Sequence, residues 1–194
     1  MTIIDELQNI WSLLLFKSKT YSQVAKSKEA IYYAFGFVIL FPILAFLLNM
    51  YLSELKLPFS IWYYLLFVVI MAPILSLLLS AVFHAVALLF KGTGSVLGLF
   101  KVMGYFAWLG ILSTLFTYID TSIFGAEAVN NLYAPFSIIL SIYSVFLNVY
   151  IIKEVENLSV GRAISVFLIP IISFIILSLA LIFWLMTILP PSAV

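Results

Sequence analysis

The chain contains no cysteine. That excludes disulfides, thiolate metal sites and thiol chemistry at the outset. Charge is nearly as scarce. Only 9% of its 194 residues are Asp, Glu, Lys or Arg, against about a quarter in a soluble domain. Apolar residues make up 65%, and mean hydropathy is +1.26. Such a chain has too little polar surface to enclose a core in water, so its solvent is lipid. A net charge of +1 gives no general attraction to nucleic acid. The opening residues do not read as a signal peptide, because Asp5, Glu6, Gln8 and Asn9 interrupt them and no basic stretch leads into an apolar core.

What is present is a set of long apolar runs. Five of them, roughly 30–51, 60–90, 102–119, 134–152 and 163–189, are long enough to cross a bilayer as helices. They are continuous rather than alternating in hydrophobicity, which excludes a β-barrel. The sequence therefore predicts an all-α fold, a polytopic transmembrane bundle of five helices over 30–190. An amphipathic interfacial helix precedes it in the segment 1–29. Ile3, Leu7, Ile10, Leu14 and Leu15 recur there at helical spacing among polar residues. The second run is longer than a perpendicular crossing needs and predicts tilt, a kink at Pro73 or a protruding end. Pro42, Pro73 and Pro170 are read as packing kinks. An odd number of spans argues against two simple inverted halves.

The basic residues sort by side when the runs are threaded in order. Lys17, Lys19, Lys26 and Lys28 precede the first run, Lys91 and Lys101 flank the second break, and Lys153 and Arg162 flank the fourth. Only Lys56 falls on the other side. Loops rich in Lys and Arg stay in the cytoplasm, so the amino terminus is expected inside and the carboxyl terminus outside a cytoplasmic (inner) membrane. Trp62, Tyr63, Tyr64, Tyr133 and Trp184 then fall near the outer interface. The loop from Asp120 to Tyr133 carries no basic residue.

Two polar stripes interrupt the apolar runs. Ser76, Ser80 and His84 follow one helix face in the second span, and Ser137, Ser141, Ser144 and Asn148 follow one in the fourth. Polar groups in lipid turn inward, so His84 and Asn148 are expected to bond to each other or share a small aqueous pocket. Two readings fit: glue between helices, or a polar path lined by Ser76, Ser80, His84, Ser144 and Asn148. A lone histidine makes no metal site, since Glu154 and Glu156 are expected beyond the helix end. Neither a catalytic arrangement nor a cofactor motif stands within the runs. Gly92-x-Gly94 beside Lys91 lacks the spacing and preceding strand of a phosphate loop. Gly94 and Gly98 instead allow close helix packing. Asn157-Leu158-Ser159 is a glycosylation sequon that the topology places inside, unused.

The stretch from His84 through Lys91-Gly92-Thr93-Gly94-Ser95 to Phe100-Lys101-Val102-Met103-Gly104-Tyr105, and the turn from Lys153 to Ala163, resemble signature segments of the Yip1-domain family. The likeness covers nearly the whole chain. Two departures stand out: no proline follows Tyr105, and Glu156 stands where a histidine is common. If that histidine works with the one in the second span, this chain has lost half of the pair. The resemblance implies a small polytopic membrane protein without catalytic activity or cofactor. Eukaryotic relatives look like trafficking factors that engage Rab-type GTPases, usually through a long polar amino-terminal region. With about 29 residues there, this chain is not expected to bind one and is similar to prokaryotic members.

These readings combine into one expectation: a membrane-organising or interaction protein whose inner face carries its function. His84, Lys91, Gly92, Gly94 and Ser95 are expected at that face, opposite Glu154, Glu156 and Arg162. Their task is to hold two turns together or present them to a partner. The expected partners are membrane lipids and either a second copy or another membrane protein. The competing expectation is a small channel or transporter using helices two and four.

Overall fold

The structure is a computed structural model and describes residues 3–53, 61–124 and 133–188. Among the described residues eight helices follow in order: α1 Ile3–Leu14, α2 Ser18–Lys26, α3 Ala30–Ser53, α4 Ile61–Leu89, α5 Val96–Gly104, α6 Leu109–Phe124, α7 Tyr133–Glu156 and α8 Val160–Ile188. Five stretches are long and apolar enough to cross a bilayer: Ala30–Leu48, Trp62–Leu89, Val96–Phe116, Ala134–Glu156 and Val160–Leu185. The all-α, five-span bundle expected from the runs is the fold observed. Glu54, Lys56 and Glu127 lie outside the described residues.

Helix ends differ from the sequence reading at instructive places. The third span is two helices, α5 and α6, joined by turns over 105–108. The amides of Tyr105, Phe106 and Ala107 bond three residues back, to Val102, Met103 and Gly104. The backbone thus stays satisfied within an interrupted span, as hydrocarbon requires. Helix α6 continues to Phe124, so 120–124 are helical rather than loop. Helix α7 runs through Glu156, and α8 starts at Val160 instead of after Arg162. Glu154 and Glu156 therefore belong to the last turn of α7. Pro42, Pro73 and Pro170 sit inside continuous helices.

The segment 17–28, whose lysines mark sidedness in the sequence, holds a second short helix, α2. Its Thr20, Tyr21 and Val24 are buried while Lys19 and Lys26 stay exposed. Leu13, Tyr21 and Val24 join a core with Leu99, Val102, Ile151, Ile152 and Val155. Leu13, Tyr21 and Val24 are thus covered by the chain's own α5 and α7, leaving Trp11 and Leu15 outward. Most of the buried residues lie at this end, where α1 and α2 sit with the ends of α4, α5, α7 and α8. It is called the basic end below. Toward the opposite end the helices present Leu, Ile and Phe outward, the ordinary surface of a protein in lipid. Trp62, Tyr63 and Trp184 are exposed there.

Candidate functional site

Three helices at the basic end stop in the same way. Phe16, Lys91 and Asn157 each adopt a left-handed backbone, with φ of 54°, 66° and 53°. The next amide then reaches back five residues: Lys17 to Ser12, Gly92 to Ala87 and Leu158 to Lys153, at 3.1, 2.9 and 3.0 Å. These are Schellman closures, which satisfy carbonyls that a helix end leaves open. Asn tolerates this conformation, whereas a Lys or Phe pays about 1–2 kcal/mol for it. The result is two tight turns, after α4 and after α7, facing each other.

Glu156 joins them. Its side chain is fully buried. The backbone carbonyl accepts from Thr93 N–H at 3.0 Å, Oε2 accepts from Gly94 N–H at 3.0 Å, and Oε1 lies 2.9 Å from His84 Nδ1. Asn157 Nδ2 adds a bond to Thr93 Oγ1 at 2.9 Å. The two glycines make room for this. A Cβ on Gly92 would meet Glu156 Oε2 at 2.8 Å, and one on Gly94 would meet Val155 O at 2.5 Å and Glu156 Cδ at 2.8 Å. The glycine loop does cradle an acidic side chain, and it is the chain's own Glu156. Ser95 caps α5 by accepting from Gly98 N–H at 3.0 Å. At Gly98 a Cβ would press on Val155 at 3.2 Å and Ala25 at 3.4 Å, so this helix face is close-packed.

The expected inner-face residues do come together, with differences. His84 pairs with Glu156 instead of Asn148, whose Nδ2 donates to Ser144 O at 2.8 Å. The carboxylate at 156 is itself the histidine's partner, so the pair is intact in a His–Glu form. Glu154 faces the other way: it accepts from Ser18 Oγ and from Lys153 Nζ, tying the start of α2 to α7. Arg162 Nη1 stands 3.5 Å from Phe90 O, and with Lys91 it lines a recess of about 140 Å³. Of the proposed path residues, Ser76, Ser144 and Asn148 line a cavity within the bundle. Ser80 is buried, with its hydroxyl given to Ser76 O and Met103 Sδ. Ser137 bonds its own helix at Ala134 O, and Ser141 is exposed, so that stripe does not face inward along its length. No cluster of three metal-ligating side chains occurs among the described residues.

Several contributors left little trace in the sequence. Lys101 looked like one more surface cation. It is 9% exposed, and its Nζ donates to Ala25 O at 3.1 Å and Ser27 O at 2.7 Å. A cation thereby closes the carboxyl end of α2, where the helix dipole favours one. Tyr21, Tyr143 and Tyr150 donate to Leu13 O, Leu14 O and Phe16 O at 2.6, 3.4 and 2.9 Å, covering carbonyls at and just after the end of α1. Burial pushes the Tyr21 hydroxyl well above the ordinary tyrosine range, so it remains a donor. Tyr143 and Tyr150 are seven residues apart on α7, a spacing that did mark one helix face.

A comparison with curated proteins and one with solved structures found no match. The Yip1 domain family model matches residues 11–183, from within α1 to near the end of α8. That span covers both turns, the Glu156 clasp and all five crossings, and the chain belongs to the Yip1 family of multi-pass membrane proteins.

Proposed function

We propose that this protein is a non-enzymatic membrane-organising or protein-interaction factor of prokaryotic type, and that its basic end meets the partner. It resides in the cytoplasmic membrane with that end inside. The observation that carries the reading is the buried Glu156 clasp, which fixes the 91–95 turn against the end of α7. Both carboxylate oxygens are occupied and shielded, so Glu156 has no lone pair positioned for an external substrate. It works as a latch. What the latch holds outward is cationic at one recess, bordered by Lys91 and Arg162, while a second, of about 250 Å³, sets Lys26 and Glu154 beside Thr93, Ser95 and Asn157. Lys91 keeps its side chain at a position whose backbone favours glycine. A residue retained against local strain points to a use for its ammonium. The partner is a second copy or another membrane protein with an acidic surface.

Crosslinking in native membranes tests this. A stoichiometric homo- or heterocomplex is expected, and Lys91→Gly with Arg162→Ala should abolish it. Lys91→Gly relieves the left-handed strain, so loss of capture cannot be blamed on loss of fold. Recovery of monomer alone, or capture indifferent to both substitutions, would overturn the reading.

A further inference from the structure

A cavity of about 490 Å³ lies among α3, α4, α7 and the α5–α6 break. Pro42, Ser76 and Ser144 on its wall stand near the midpoints of their helices, so the cavity is centred at mid-membrane depth. The wall is apolar apart from Ser76, Ser144 and Asn148, and it has no ionisable side chain. The charged groups and the histidine beyond the wall on α4 and α7 are engaged with each other, His84 with Glu156 and Lys153 with Glu154. Asn148 spends one amide hydrogen on its own helix, which leaves its carbonyl oxygen and second N–H. The hydroxyls of Ser76 and Ser144 have no partner among the described residues, whereas Ser80, one turn away from Ser76, is buried and fully bonded. Serines that join helices are satisfied as Ser80 is. Unsatisfied hydroxyls at this depth are costly unless something else meets them.

The backbone adds a second, independent mark. The third span is interrupted over 105–108, and Phe106 and Ala107 from that stretch line the cavity. Irregular backbone at membrane depth is tolerated where it is buried or borders a cavity, and interrupted spans recur at binding sites in membrane proteins. Trp108, between Ala107 and Leu109 of the wall, has a shielded indole N–H without a partner.

We propose that this cavity binds a neutral, membrane-dissolved lipid whose single polar group is a hydroxyl or carbonyl. That group meets Ser76, Ser144 and Asn148, and the chain lies against the apolar wall. The volume falls within the range of about 300–1,000 Å³ typical of small-molecule sites, and a mostly apolar wall with a few convergent polar groups is their usual lining. Neutrality follows from the uncharged wall. A phospholipid is excluded because its phosphate stays at the interface, far from the middle of the spans. Entry is lateral from the bilayer, where α4 and α7 meet only sparsely. The inference does not depend on the partner reading of the basic end.

The test uses the full chain in phosphatidylcholine nanodiscs with a diazirine-bearing octadecanol as probe. Saturable labelling is expected on α4 and α7 near Ser76 and Ser144. Unlabelled octadecanol should compete about tenfold better than octadecane, the worth of roughly one hydrogen bond. Ser76→Ala with Ser144→Ala should remove that preference, and Ala107→Leu should remove the labelling by filling space. Should Ala107→Leu fail to fold, the serine pair decides. Labelling that never saturates, that spreads equally over Phe174–Leu185 of α8, or that octadecane blocks as well as octadecanol would overturn the proposal.

Discussion

At the level of single residues, the clasp sets what each substitution does. Glu156→Ala strands the Gly94 N–H and His84 Nδ1 in a shielded site, at about 1–3 kcal/mol for each stranded group. Glu156→Gln keeps an acceptor and should lose less. Thermal unfolding in one detergent ranks them, and equal stability of the two variants would remove the latch from the account. Combining His84→Ala with Glu156→Ala should cost less than the sum of the single losses, by about 0.5–3 kcal/mol, because the pair acts as a unit. The glycines give a sharper contrast. Gly94→Ala drives a Cβ to 2.5 Å from a backbone oxygen, which cannot rotate away as a side chain could. A loss of about 1–3 kcal/mol is expected from such overpacking. Gly36→Ala meets nothing within 4 Å. In a helix interior that change should be neutral or gain about 0.5–1 kcal/mol. If both behave alike, the close approach at Gly94 is not real.

Among elements, α2 depends most on one distant side chain. Lys101 bonds the Ala25 and Ser27 carbonyls across more than seventy residues of sequence. Lys101→Met keeps the apolar stem but leaves these carbonyls open, with a loss of about 1.5–3 kcal/mol for bonds to a charged group. The prediction is local. Hydrogen exchange should rise over 18–28 while α7 and α8 stay protected; a uniform rise would mean that Lys101 supports the whole bundle. This element also shows where sequence reading stops. Helix α2 offers only Thr20, Tyr21 and Val24 as a buried face, and the four lysines in and around it read in the sequence as sidedness alone. The partners of Lys101 are backbone carbonyls, which leave no residue pattern to find. The break in the third span was hidden for a related reason, since an apolar stretch looks the same whether it continues as a helix or turns within lipid. By contrast, the two turns were legible: their Lys, Gly, Glu and Asn residues are polar interruptions between apolar runs, and those interruptions became the clasp.

For the molecule as a whole, span number and fold class were plain because lipid imposes a length and a composition on every crossing. The sidedness of the basic residues carries a claim of a different kind, since it concerns where the protein sits and not how it packs. Six of them, Lys17, Lys19, Lys26, Lys28, Lys91 and Arg162, are exposed at the basic end, while Lys101 is internal. Six exposed cations and the half-buried Lys153 therefore mark the basic end without Lys101. The chain has no cysteine, so single introduced cysteines report on sidedness without background. Lys28→Cys precedes the first crossing, and Thr187→Cys stands near the end of the fifth. With the basic end inside, a membrane-impermeant maleimide should label Thr187→Cys in intact cells and Lys28→Cys only after permeabilisation. The reverse pattern would put the Glu156 clasp, Lys91 and Arg162 outside the cell. The partner's acidic surface would then have to meet the basic end outside the cell, while the mid-membrane cavity, equally distant from both faces, would keep its proposed ligand.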